Sequence, residues 1–492
     1  MKSNWKKYLG VLLPLLVVVA APLLLRNPSE DLGAGADLRL EVLTPHNETI
    51  RREFGEAFAA WYEEKHGKSV YVNWRTPGGT TEIKRVLDSS YDTAEKNGRE
   101  GIGVDVFFGG GEYDFSQQAA LGRFAKLRIF EEEPELFGER MIPEMMSGER
   151  YFSEKRDWVG VCLSSFGICY NTDGLARRDL PEPTRWDDLG DARYFQGIAL
   201  ADPTKSGSVA KAFEMLIQEK IQAHESAGLP RAEAAARGWA EGLNLIQRIA
   251  ANSRYFADSA TKIPHDVAQG NAVAGMCIDF YGRTYNEAVK REDGSSRMHF
   301  VSPVGGTSVS VDPVAILKGA PSEDLAQEFV RFLLSVEGQM LWNAKVGGEF
   351  GPKYRALRRL PIRRDLYEDA AMLGLMVDQE ALPYEAAEAF TYDGSLTGHL
   401  FSPLRMIVRV MCIDSHQEMK AAWEALTEAG FPAEASAKFF QVTAAGYEEA
   451  EKVIRPTQKA GDKVAEVRLM NRLATYFREN YREAERLARA GR

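Results

Sequence analysis

The feature that most limits what this chain can fold into is a unit that recurs along its first half: a short apolar run, a glycine- or proline-bearing turn, then apolar positions at helical spacing. The first copy has Leu38, Leu40 and Val42 alternating with polar residues as far as Thr44-Pro45, then Phe54, Phe58 and Trp61 at helical spacing behind Asn47 as N-cap. The second runs over 70–74 and through Pro77-Gly78-Gly79 into Thr80-Thr81 and a helix carrying Ile83, Val86 and Leu87. The third is 104–108 followed by Gly109-Gly110-Gly111-Glu112-Tyr113, and the fourth is 197–201 followed by 202–208 (DPTKSGS) and a helix. Strand and helix alternating in this way build an α/β fold.

In open α/β sheets the ligand crevice lies beyond the carboxyl ends of the strands. The polar clusters fall at those ends: His46, Gly79-Thr80, Glu112 and Ser206-Gly207-Ser208. Serines and a glycine at a helix start present free N–H groups to an anion, although Ser206 or Ser208 can equally serve as an ordinary N-cap. The run 271–283 (NAVAGMCIDFYGR) reads as a strand buried on both faces of a parallel sheet, delivering Asp279, Tyr281 and Arg283 to the same crevice. The bland alternative is that Asp279 and Arg283 cap the strand and pair with each other.

Two longer extended passages, 157–169 and 300–317, are long enough to carry the chain from one lobe to another and back. They divide it into a first lobe of 38–164 with 305–354, a second of 165–304, and a helical C-terminal region of 355–492 packing on both. Hinges are expected at 163–166, which contains Ser164, and at 304–310.

The first 26 residues carry Lys2, Lys6 and Lys7, an uncharged run over 8–25, then Arg26, the layout of an export signal or an uncleaved anchor with its lysines inside. Residues 27–37 have the Pro, Gly and acidic content of a linker. The formal net charge is −10, and the leader holds four positive and no negative charges, so the remainder stands at −14. That disfavours nucleic acid as a partner. Cys162, Cys169, Cys277 and Cys412 show no metal-site spacing and read as buried fillers, with disulfides left open.

Taken together, the segments 42–48, 104–121 (VDVFFGGGEYDFSQQAAL), 157–175, 202–213, 268–283 and 315–341 (AILKGAPSEDLAQEFVRFLLSVEGQML) resemble extracytoplasmic substrate-binding proteins of ABC importers, in the branch that includes ferric-ion-binding proteins. The resemblance covers roughly 38–361. It implies a two-lobed periplasmic-binding-protein type II fold with hinge strands, to which this chain adds a helical C-terminal extension. It also implies a monomer outside the cytoplasmic membrane that closes on a small-molecule or metal solute and delivers it to a membrane permease. Ferric members use two adjacent tyrosines at the matching strand end. Here the pair is Phe280-Tyr281, so one phenolate is lost, and the metal set left for Fe3+ is His46, Glu112, Asp279 and Tyr281. Arg283 would oppose a trivalent cation and favour an anion. The expected ligand contacts are therefore His46, Gly79, Thr80, Glu112, Ser164, Ser206, Gly207, Ser208, Asp279, Tyr281 and Arg283. No GxSxG, P-loop, HExxH or GxGxxG motif supports an enzyme. The alternatives are a ligand-sensing subunit of a membrane signalling system and, further off, a periplasmic hydrolase.

Overall fold

A computed structural model describes residues 35–491. The leader and most of the linker lie outside the described residues. Two sheets form the centres of two lobes. The first runs β11-β4-β10-β3-β1-β2, with β1 Leu38–Leu43, β2 Val70–Arg75, β3 Val106–Phe108, β4 Val159–Ser164, β10 Ser310–Ile316 and β11 Leu360–Pro361. The second runs β9-β5-β8-β6-β7, with β5 Phe166–Asn171, β6 Ile198–Ala201, β7 Ser253–Ala257, β8 Ala274–Ile278 and β9 Met298–Val301.

Between β4 in the first sheet and β5 in the second there is only Ser165, and β9 leads back to β10. The expectation of an all-parallel sheet around β8 is corrected. β8 is parallel to β6 but antiparallel to β5, because the crossing strand enters the second lobe from the opposite direction.

The helices that position the cleft begin at strand ends. In the first lobe these are α1 Glu48–His66, α2 Thr80–Lys96 and α3 Glu112–Ala120. In the second they are α4 Gly207–Ser226 and α6 Asp279–Ala288, with α5 Arg231–Ala251 packed behind α4. Asn47 Oδ1 accepts from Ile50 N at 3.0 Å and so caps α1, whose Phe54 and Phe58 are fully buried on Phe108, Phe329 and Phe332. Each such ring contributes about 1.5–3 kcal/mol of apolar burial, against typically about 1 kcal/mol for a cap.

The C-terminal region does not form a separate body. Its first part stays with the first lobe: β11 pairs with β4, and Leu357, Ile362 and Tyr384 enter that core. The chain then crosses to the second lobe. There α7 Phe401–Val408, α8 His416–Glu428 and α9 Lys463–Ala490 share one apolar core with α4 and α5. The most apolar helical stretch among the described residues, Gly394–Ile413, is two-thirds buried there, which accounts for its composition without a membrane. All four cysteines are buried and free.

Candidate functional site

Both lobes line one cavity of about 480 Å³. The Gly109-Gly110 turn after β3 packs against two of its residues, His46 and Thr80. Gly109 has φ +86°, and a Cβ there would lie 2.3 Å from His46 Nε2, so only glycine lets the chain pass the imidazole. His46 is itself buried against Phe108 and Trp342. Burial, together with the Arg359 and Arg51 cations, holds its pKa well below the usual histidine value, so the ring is neutral.

Nine of the eleven expected residues line this cavity: His46, Gly79, Thr80, Glu112, Ser164, Ser206, Gly207, Ser208 and Tyr281. Asp279 and Arg283 do not. Arg283 Nη2 donates to Asp279 Oδ2 at 2.8 Å and to the Arg358 carbonyl at 2.9 Å, and its Nε lies 3.6 Å from Asp378. The reason is helical geometry: Asp279 and Arg283 are i and i+4 on α6 and share a face, whereas Tyr281, two residues from each, is carried about 200° round the axis to the cleft side.

Two clusters of polar groups occupy the cavity, with the Gly109-Gly110 turn between them. At one, helix starts from opposite lobes meet. Neither Gly79 before α2 nor Gly111 before α3 provides a side-chain cap, whereas Ser206 caps α4 through Val209 N at 3.4 Å. A Cβ placed on Gly207 would lie 3.5 Å from Thr80 Oγ1, so the two lobes are closed on each other here. Lys205 adds an exposed ammonium paired with Asp258 at 2.6 Å. At the other cluster, Arg359 is buried with Asp312 Oδ2 at 2.5 Å, and its guanidinium lies 4.0 Å over the Phe280 ring. Tyr281 faces Asn47, and burial raises its phenol pKa while Arg359 opposes the rise.

Sequence reasoning missed Arg359, Asp312, Lys211, Glu149 and Phe401, all of which line the cavity. Most of the cavity's carboxylates have cationic partners: Glu149 has Lys211 at 3.1 Å, Asp312 has Arg359 and Asp258 has Lys205. Glu112, which accepts from Ser116, has no such partner among the described residues. The C-terminal region closes the mouth. Phe401 packs on Tyr113 with centroids 4.8 Å apart. Arg405 donates to the Pro203 and Thr204 carbonyls at 2.7 Å each and to Thr81 Oγ1 at 3.1 Å, tying the second lobe to the first. Among the described residues no three His, Cys, Asp or Glu side chains group as a metal site.

Two α/β lobes joined by crossing strands and enclosing one small polar cavity define a solute-binding protein. The profile of the bacterial extracellular solute-binding protein family matches residues 104–352, half of the 492-residue chain, and the chain belongs to that family. It is 27% identical over 183 residues to the phosphoglycerate transport regulatory protein PgtC of Salmonella typhimurium, matching 37% of this chain and 40% of that one. The match thus spans about two-fifths of that relative's length. A Haemophilus influenzae protein is 28% identical over 297 residues, 60% of this chain and 71% of that one. Among solved structures, the periplasmic binding protein AfuA of Actinobacillus pleuropneumoniae, with fructose-6-phosphate bound, has TM-score 0.51 at 19% identity, covering 75% of this chain and 99% of its own. Iron-bound HitA of Pseudomonas aeruginosa has TM-score 0.50 at 18% identity, with the same coverage. These likenesses are of fold.

Proposed function

We propose that the protein captures a small organic anion, a phosphorylated metabolite in class, between its lobes and hands it to an ABC importer permease. The observation that carries this reading is the meeting of the α2 and α4 starts across the cavity beside Lys205. Converging backbone N–H groups and helix dipoles stabilise negative charge, and a closed, water-poor cleft strengthens them. Glu112 remains as an acceptor for ligand hydroxyls. A bare ferric ion fits less well. Arg359 stands beside Tyr281, and Asp279, one of the four expected ligands, is turned away onto Arg283. The names of PgtC and of the AfuA complex both refer to phosphorylated small molecules, which agrees with this class.

The PgtC name also favours a second reading, in which the loaded protein signals through a membrane partner rather than feeding a permease. In either case the leader is read as exporting the chain or holding it at the outer face of the membrane. Native mass spectrometry with elemental analysis of protein purified without refolding tests the solute class. A phosphorus-containing organic adduct is expected. Stoichiometric iron with no organic anion would overturn the reading.

A further inference from the structure

The inner end of the cleft contains a cation whose hydrogen bonds the protein has left incomplete. Arg359 is 5% exposed, and its Nη1 donates to Asp312 Oδ2 at 2.5 Å and to Cys162 Sγ at 3.5 Å. Its Nε is buried without a hydrogen-bond partner, and the guanidinium's hydrogen bonds to the described residues both run from Nη1. The open Nε/Nη2 edge is the one that grips a carboxylate with two parallel bonds.

The carboxylates on α6 and after β11 are held by other cations. Asp279 is turned onto Arg283, and Asp378 is held by Arg358 at 2.6 Å and lies near Arg283. Asp312 takes Nη1 alone. The groups facing the guanidinium from other elements are the neutral His46 ring, the Tyr281 phenol and the Phe280 ring. None of them competes for an anion. A buried guanidinium donor left without an acceptor is unfavourable unless a ligand completes it.

We propose that Arg359 forms a second anion site, separate from the α2 and α4 helix starts, and that the solute therefore carries two acidic groups, a phosphate at the helix starts and a carboxylate on the open edge of Arg359. This rests on the organic-anion reading above. The two clusters lie on either side of the Gly109-Gly110 turn, with Gly109 against His46 and Gly110 against Thr80, in a cavity sized for a compact molecule. A short phosphorylated hydroxy acid has both groups at its ends and a hydroxyl between them for Glu112.

Calorimetric titration with 3-phosphoglycerate and with glycerol 3-phosphate, which lacks the carboxylate, tests this on the intact protein. The parent should bind the carboxylated compound at least tenfold more tightly. Arg359→Lys keeps the charge and loses the fork. It should erase that preference. Equal binding of the two compounds by the parent overturns the second anion site and needs no variant. Parallel loss of both compounds in a folded Arg359→Lys protein also overturns it, because the arginine then only maintains the cleft. If the parent binds neither compound, the two-acid solute proposed here is wrong, while the phosphorus content of the adduct on the purified protein separately decides the organic-anion reading.

Discussion

Replacing Lys211 by methionine should damage the protein more than any other single change in the cleft. Lys211 Nζ lies 3.1 Å from Glu149 Oε1, 3.3 Å from Glu214 Oε2 and 3.4 Å from the centroid of the Tyr392 ring. Glu149 comes from the first lobe, Lys211 and Glu214 from α4 of the second, and Tyr392 from the C-terminal crossing. One ammonium therefore joins three parts of the chain. The two carboxylate side chains are 2% and 1% exposed. Burial pushes the Glu149 carboxyl above its ordinary value, and Lys211 restrains it. Burial alone would lower the lysine's pKa, but the two carboxylates outweigh it and the net shift is upward.

With the ammonium gone, two buried carboxylates face each other. Removing one partner of a buried pair costs about 3–5 kcal/mol. In Lys211→Met the folded protein should bind a proton at Glu149 well above the 4.5 of an ordinary glutamate, whereas the unfolded chain does not. Stability of the variant must then rise as pH falls toward that value, so the deficit at pH 8 should shrink at pH 5. Urea unfolding followed by tryptophan fluorescence at both pH values, on the parent, Lys211→Met and Lys211→Met/Glu149→Gln, measures this. The double variant should recover more than half of the loss. A deficit below about 1 kcal/mol, or one of equal size at pH 5 and pH 8, would refute the reasoning.

Arg405→Ala removes charge-assisted bonds worth about 2 kcal/mol that tie the lobes at the mouth, so amide exchange should accelerate at the start of α2 and over 202–208; unchanged protection there would show that the lobes close without it. Half-buried His416 has its pKa lowered to about 4, first by burial and then by Lys420. The unfolded chain takes up this proton first as pH falls through 6.5, so roughly 2–3 kcal/mol of stability should be lost between pH 6.5 and about 4. His416→Gln should flatten that part of the stability profile, and an unaltered profile would remove His416 as its cause. Gly109→Ala combines a positive φ with a collision on His46 and should lower stability by about 1–3 kcal/mol from backbone strain alone; a melting temperature equal to the parent's would contradict the tight turn.

What the sequence determined by itself is what depends on neighbours along the chain. Strands ending in glycine turns and the cap at Asn47 are local patterns and appear where the residues placed them, and of the two serines that could cap α4 it is Ser206 that does. The self-pairing of Asp279 with Arg283 was legible for the same reason, since four residues on a helix bring two side chains together whatever surrounds them. The cleft's cations were decided only by tertiary structure. Residues 357–364 (LRRLPIRR) hold four arginines of which no pattern marks one. Arg359 is distinguished because β11 pairs with β4 and the second lobe's Phe280 covers it. Lys211 is one charge among many on a long helix until Glu149 arrives from the other lobe. A charge becomes a site when burial removes its water and leaves a donor unfilled, and burial depends on segments far apart in the chain.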